Sequence, residues 1–201
     1  MKKTFFIISL LFVSVLFSQE KKSTKSALKF QSKLNKEFAS KEDSPLTEED
    51  LKSFKSLEFF PADTNFIVKA KLEFKKDSKP FKMKTTTDRL PVYKLYAIAT
   101  FKIKGIAYKL HIYQNEKLVL TPDFEDHLFL PYTDKTNAVT SYGGGRYIDL
   151  KLPKGDTIII DFNKAYNPYC AYNGKYSCPI PPKVNHLDTE INAGVMAYGK
   201  H

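Results

Sequence analysis

The chain has 201 residues, of which 42% are apolar and 27% are charged, and its formal net charge is +10. This composition supports a folded core and argues against wholesale disorder, and the length favours one or two domains. Two cysteines are too few for a disulfide-dense miniprotein or for a four-thiolate zinc site.

The N-terminus has the pattern of a secretory signal peptide. Lys2 and Lys3 precede a stretch from Thr4 to Phe17 that has no charged residue, and Ser18 is a small residue near the expected cleavage point. We therefore expect residues 1–18 to be removed and the mature protein to be periplasmic or secreted. The apolar stretch is shorter than the ~20 residues that span a bilayer, so a retained anchor is the less favoured alternative.

The mature chain stays basic. Without residues 1–18 it has 30 basic and 22 acidic side chains, a net charge of +8. The lysines are spread along the chain, often at alternate positions, which favours solvated strand faces over a nucleic-acid-binding stripe. We expect no nucleic-acid partner and no transmembrane segment in the mature chain.

Residues 19–58 are predicted to form a polar tether and two N-terminal helices. Apolar residues at helical spacing predict the first helix, which ends at about Ser40: Ala27, Phe30, Leu34 and Phe38. Thr47 stands three residues before Asp50, as in a capping box, and Leu51, Phe54 and Leu57 give the apolar stripe of a second short helix.

Residues 59–201 are predicted to form one β-rich domain. From residue 65 apolar and polar residues alternate, as in strands with one buried face, in the segments 66–75, 93–103, 108–112, 118–120, 146–152 and 157–162. Turns are expected at Lys104-Gly105 and at residues 153–156. The fold class is mainly β (α+β): an antiparallel barrel or sandwich, followed by an irregular C-terminal tail.

The segment from Phe129 to Leu187 carries several dense motifs. These are Gly-Gly-Gly-Arg-Tyr at 143–147, Asp-Phe-Asn at 161–163, Asn-Pro at 167–168 and Cys-Pro at 178–179. In this order they resemble the prokaryotic domain of unknown function 1684 family, and the resemblance covers nearly the whole mature chain. It implies homology without an agreed activity. The chain departs from the family pattern at Val195, where an acidic residue is expected after Ala193-Gly194.

The glycine run next to Arg146 suggests an anion site. Gly143, Gly144 and Gly145 allow backbone N–H groups to turn inward, and a guanidinium can hold a carboxylate or phosphate through two hydrogen bonds. Tyr142 adds an aromatic ring and a hydroxyl. The alternative is a tight turn in which Arg146 pairs with an aspartate to hold the loop: Asp134 or Asp161.

Asp134 and Asp161 are candidate acid–base residues, and Asp149 is a third carboxylate in the same part of the chain. Asp161 follows three isoleucines and needs a polar partner if it is buried, which Asn163 or Arg146 could provide. Asn163 and Asn167 are candidate ligand-binding residues that are equally suited to hold turns. The alternative for all of them is structural hydrogen bonding.

Cys170 and Cys178 lie eight positions apart in a chain that is expected to be exported. An oxidising compartment favours a disulfide between them, and the alternative is a thiol nucleophile or metal ligand. The histidines show no metal-binding spacing, so neither a metal nor a cofactor is expected. Six tyrosines of this region could line a pocket or cover the core: Tyr142, Tyr147, Tyr166, Tyr169, Tyr172 and Tyr176.

The leading hypothesis is a protein that binds a small polar or anionic ligand. The Gly143–Arg146 loop and the segment from Asp161 to Cys178 would form the pocket, with Arg146 as the clamp. One alternative is a hydrolase that uses Asp134 or Asp161 as the base together with Arg146. The other is a structural or partner-binding envelope protein.

Overall fold

The computed structural model describes residues 24–199 of the chain. The predicted signal peptide lies outside the described residues. Helix α1 covers residues 24–39, and helix α2 is Glu48–Ser53. Thr47 caps α2 through its side chain, which accepts a hydrogen bond from the Asp50 N–H as the sequence predicts. Helix α2 ends before Leu57, which is buried in an extended segment instead.

Eight strands form one curled, mainly antiparallel sheet that resembles half of a barrel. They are β1 (Ile67–Phe74), β2 (Phe81–Lys82), β3 (Val92–Ile103), β4 (Ile106–Asn115), β5 (His127–Asp134), β6 (Arg146–Lys151), β7 (Thr157–Asp161) and β8 (His186–Leu187). The order across the sheet is β6-β5-β4-β3-β1-β7; β2 pairs with β3, and β8 pairs with β5 in the parallel direction.

Two predictions from the sequence, one turn and one strand, have different outcomes. The β3–β4 hairpin closes at Lys104 and Gly105, whose φ angles of 49° and 83° suit a tight turn between twisted strands. The strand expected at residues 118–120 is wrong, because Leu118–Leu120 forms a 3-10 turn and Leu120 is 82% exposed. Asn115 redirects the chain there, since its side-chain oxygen accepts hydrogen bonds from the next backbone N–H groups, at Lys117 and Leu118.

The sheet buries apolar side chains on both faces. The inner face holds the main core, which includes Ala97, Leu110, Leu130, Ile148 and Ile160. On the outer face a second, aromatic cluster includes Tyr93, Tyr113, Phe129 and Tyr147. Because successive residues of a strand point to opposite faces, neighbouring residues of β5 and β6 serve different clusters.

A third cluster joins the N-terminal helices to the C-terminal tail. Phe38 of α1 packs edge-on against Tyr172, with ring centroids 4.7 Å apart. Val195 is buried in the same cluster, so its aliphatic side chain suits this position, where the sequence analysis expected an acidic residue. Among residues 24–199, none of the helices combines the length with the hydrophobicity that a membrane span requires.

Candidate functional site

The predicted clamp, Arg146, begins β6 and is fully buried. Its guanidinium donates hydrogen bonds to the Ala193 carbonyl (2.5 Å), the Ile191 carbonyl (2.8 Å) and a carboxylate oxygen of Asp134 (2.8 Å). The Thr136 hydroxyl accepts a longer bond of 3.3 Å. The guanidinium is therefore enclosed by the chain itself, and the alternative of internal pairing with Asp134 describes what is observed.

Asp134, the first candidate base, is committed to the same network. One of its oxygens accepts from the backbone N–H groups of Thr136 (2.9 Å) and Ile191 (3.1 Å), and the other accepts from Arg146. Both side chains of the ion pair are completely shielded from solvent. A buried charge needs such partners, so the network explains why a guanidinium and a carboxylate can occupy the protein interior.

The glycine run forms a tight turn rather than an open anion cradle. The Gly145 N–H donates to the Tyr142 carbonyl, so it is used within the turn. Gly145 has a φ of +89°, and a Cβ atom there would lie 2.6 Å from the Tyr132 carbonyl oxygen. The glycine is therefore required by the backbone and by close packing.

Asp161 and Asn163 hold the end of β7. The Asp161 carboxylate accepts from the Asn163 backbone N–H (3.1 Å) and from its amide (2.9 Å). The same Asn163 side chain bonds both backbone groups of Asp63, 100 residues earlier. Asn167 donates its amide to the Met196 carbonyl, also within the chain. These contacts give the predicted polar residues structural partners, and they place Asp161 and Asp134 in separate networks.

A cavity of about 490 Å³ lies on the outer face of the sheet, between the sheet, α1 and the C-terminal tail. We call it the tyrosine pocket. Its lining comprises Phe30, Lys33, Leu34, Glu37, Tyr93, Leu118, Phe124, His127, Phe129, Tyr147, Asp149, Tyr166, Pro168, Tyr169, Tyr176, Ser177, Cys178 and Pro179. The tail and four of the six singled-out tyrosines therefore line a pocket, whereas the glycine loop and Arg146 do not.

The walls of the tyrosine pocket are mainly aromatic. The Phe129 and Tyr147 rings meet edge to face at 4.8 Å, and the Tyr147 and Tyr166 rings at 5.9 Å. The Phe30 ring of α1 extends this aromatic wall, with its centroid 6.5 Å from that of Tyr166. Burial raises the pKa of the Tyr147 and Tyr166 phenols well above the usual range, so both remain neutral hydrogen-bonding groups near neutral pH.

Three polar side chains meet at the mouth of the pocket. Asp149 is half-exposed, and one of its oxygens lies 3.0 Å from His127 Nε2 while the other accepts from the Tyr166 hydroxyl at 2.8 Å. His127 Nδ1 is buried and has no hydrogen-bond partner among residues 24–199. The group offers a carboxylate with spare acceptor capacity beside an imidazole, next to apolar walls.

The sequence analysis did not single out His127, Phe129 or Glu37. The pairing of β5 with β6 brings His127 close to Asp149: Phe129 lies opposite Asp149, so His127 and Asp149 are diagonal neighbours on the outer face. Glu37 reaches the pocket from α1 and accepts a 2.5 Å hydrogen bond from the Tyr169 hydroxyl. That contact joins residues 132 positions apart, which no local pattern indicates.

The predicted disulfide is absent: Cys170 and Cys178 are free thiols. They are neighbours, however, because the Cys170 N–H donates a hydrogen bond to Cys178 Sγ at 3.1 Å. Interaction with the Cys178 thiol lowers the pKa of Cys170, and the Tyr142 hydroxyl, 3.9 Å from its sulfur, lowers it further. Interaction with Cys170 and burial raise the pKa of Cys178. Within residues 24–199 no three or more His, Cys, Asp or Glu side chains form a metal-binding group.

Comparison with known proteins identifies the family. Residues 52–196 match the family described as "Protein of unknown function (DUF1684)". A similar solved structure is the solution NMR structure of an uncharacterized protein from Haloarcula marismortui, which is 31% identical and has a TM-score of 0.70. The alignment covers 91% of this chain and 99% of that one. No curated protein matches the sequence. The chain belongs to the DUF1684 family.

Proposed function

We propose that this member of the DUF1684 family binds a small organic ligand in the tyrosine pocket. The supporting observation is that aromatic walls and the His127–Asp149–Tyr166 group occur together in one cavity of about 490 Å³. Binding sites for small molecules are typically cavities of about 300–1,000 Å³ that are mostly apolar and carry a few placed polar groups. The proposed ligand has an apolar or aromatic body that fills the pocket and a polar group at the mouth.

The charges around the pocket favour a cationic or neutral polar group over the anion that the glycine–arginine motif suggested. The acidic and basic side chains of the lining are two carboxylates, one lysine and one histidine: Glu37, Asp149, Lys33 and His127. An ammonium at the mouth can approach Asp149 and can also lie against the electron-rich face of an aromatic ring. The guanidinium that would have bound an anion is buried elsewhere.

The residues proposed for the hydrolase alternative have structural partners. Both Asp134 oxygens and both terminal nitrogens of Arg146 are hydrogen-bonded inside the protein, and Asp161 is bonded to Asn163. We therefore propose binding and not hydrolysis.

Export remains part of the proposal, and it is supported by the signal-peptide pattern of residues 1–18. Fractionation of bacterial cells that express the full chain tests it. A shortened protein outside the cytoplasm is the expected result, and a full-length cytoplasmic protein contradicts it.

Two probes with the same phenyl ring and two-carbon linker but opposite charge test the ligand class. Phenethylammonium and 3-phenylpropionate carry the same ring, and we expect the ammonium to bind more tightly by calorimetry. Asp149→Asn should weaken the binding of phenethylammonium about fivefold, because a partly exposed ion pair is worth about 1 kcal/mol. Asp126→Asn is the matched control, since Asp126 pairs with Lys151 near the same hairpin but does not line the pocket.

The results separate the parts of the proposal. Tighter binding of 3-phenylpropionate, or equal effects of the two substitutions, contradicts the assignment of charge. If neither probe nor any member of an aromatic fragment set raises the melting temperature, the pocket is not a ligand site.

A further inference from the structure

We propose that Cys170 and Cys178 form a reactive dithiol site, in which Cys170 attacks low-molecular-weight disulfides and Cys178 resolves the mixed disulfide. This site is separate from ligand binding in the tyrosine pocket, although Cys178 lies in the wall of that pocket. The proposal rests on the hydrogen bond from the Cys170 N–H to the Cys178 sulfur, on the unequal exposure of the two residues and on the polar groups that surround them.

The two thiols are placed differently. Cys170 lies in a 3-10 turn, Tyr169–Ala171, and its side chain is partly exposed. Cys178 is buried and is held against the segment before β3 by two hydrogen bonds with Thr86. The Cys178 carbonyl accepts from the Thr86 N–H, and the Cys178 N–H donates to the Thr86 hydroxyl. Cys170 is therefore the more exposed of the two residues, and we expect an external reagent to react with it first.

Hydrogen bonds prepare Cys170 as the nucleophile. The Cys178 thiol, the Tyr142 hydroxyl and the Thr86 hydroxyl all stabilise a thiolate at Cys170, so its pKa is lowered despite partial burial. The thiolate is the nucleophilic form of cysteine. The pKa of Cys178 is raised because its thiol donates to Cys170, because it is buried and because it lies next to the charge of Cys170. Once the Cys170 sulfur is in a covalent bond, the hydrogen bond to a thiolate and the neighbouring charge disappear, so the pKa of Cys178 falls.

The reaction balances as two successive exchanges. The Cys170 thiolate attacks one sulfur of a small disulfide, whose S–S bond breaks and releases a small thiolate. Cys178 then gives up its proton and attacks the Cys170 sulfur, which expels the second small thiolate. Two protein thiols are oxidised to one disulfide, one small disulfide is reduced to two thiols, and the two protons from the cysteines end on those thiols.

The short loop between the cysteines allows the bond to form. Residues 173–175 are exposed or only partly buried, and a Cβ at Gly174 would meet nothing within 4 Å. Arg89 bonds the carbonyl and hydroxyl of Ser177, next to Cys178, and places a positive charge beside the site. That charge suits a disulfide with carboxylate groups, such as oxidised glutathione.

The test uses oxidised glutathione with the folded full chain, and intact mass spectrometry follows the products. We expect the wild type to lose two hydrogen atoms without retaining glutathione, whereas Cys178→Ser accumulates a stable mixed disulfide at Cys170. At neutral pH Cys178→Ser should react at least about tenfold faster than Cys170→Ser, because Cys170 is the more exposed cysteine and has the lowered pKa. Equal rates, or faster reaction of Cys170→Ser, would overturn the order of attack.

A pH profile of alkylation distinguishes an activated thiol from a merely accessible one. In Cys178→Ser the midpoint for reaction with iodoacetamide should lie below the ordinary thiol value of about 8.5. Tyr142→Phe should move it upward, whereas Tyr176→Phe, in the loop between the cysteines, should not. The proposal is contradicted if the midpoint of alkylation in Cys178→Ser lies at the ordinary thiol value and Tyr142→Phe does not change it.

Discussion

Replacement of Arg146 by methionine tests whether this residue supports the fold or binds a ligand. Methionine keeps much of the length and apolar volume of the side chain but removes the charge and every hydrogen-bond donor. Asp134 would then be a buried carboxylate without its cation, and the Ile191 and Ala193 carbonyls would each lose a donor. The loss of one partner from a buried ion pair typically costs about 3–5 kcal/mol.

This cost is a large part of the 5–15 kcal/mol that stabilises a typical domain. For a urea m-value of about 2 kcal/mol/M, a loss of about 4 kcal/mol lowers the unfolding midpoint by about 2 M. Lys151→Met is the control on the same strand, because its ion pair with Asp126 is largely exposed and is worth less than about 1 kcal/mol. Urea unfolding followed by far-ultraviolet circular dichroism measures both variants.

The double variant Arg146→Met/Asp134→Asn isolates the charge. The amide oxygen of the asparagine can still accept from the Thr136 and Ile191 N–H groups, so the double variant should be more stable than Arg146→Met alone. The reasoning is refuted if Arg146→Met is as stable as Lys151→Met. A stable Arg146→Met protein that no longer binds an anionic probe would restore Arg146 as a ligand clamp.

Two further predictions concern the turn and the tyrosines. Gly145→Ala should destabilise the protein by more than about 1 kcal/mol in the same urea assay, because the φ of Gly145 is +89° and the added methyl would meet the Tyr132 carbonyl. Gly155→Ala is the control: its added methyl meets nothing within 4 Å, so its effect on stability should be close to zero. Burial raises the phenol pKa of Tyr132, Tyr147 and Tyr172 above the unfolded value of about 10. The stability that these phenols contribute is fully present below pH 10 and is lost above it. The absorbance of tyrosinate should therefore rise together with unfolding. Gradual ionisation of all tyrosines near pH 10 in a protein that stays folded would contradict this prediction.

The strands that the sequence predicts are those with one covered face. In β1, Val68, Ala70 and Leu72 point into the core and lysines alternate with them, so the period of two is visible. Strand β5 was missed because both of its faces are covered: Leu128 and Leu130 pack in the main core, and Phe129 packs in the outer cluster. A strand buried on both faces has no alternation.

The site was harder to predict than the fold because a sequence motif does not show which way a side chain points. Gly-Arg-Tyr at 145–147 marks a special segment correctly. Whether Arg146 faces solvent or the core depends on the register of β6, and a shift of one residue would exchange the two faces. The pocket also depends on contacts between α1 and the tail, such as Glu37 with Tyr169, that link distant parts of the chain.

The buried ion pair and the tyrosine pocket are connected through that register. Arg146, Ile148 and Leu150 face the inner side of β6, so Tyr147 and Asp149 must face the outer side. A guanidinium cannot leave its buried carboxylate without a large cost in free energy, so the pair with Asp134 fixes β6 in one register. In this register Phe129 lies opposite Asp149, which places the carboxylate within reach of His127. The arginine of the motif therefore acts on the pocket from the opposite face of the sheet: it determines which residues line the pocket but does not line the pocket itself.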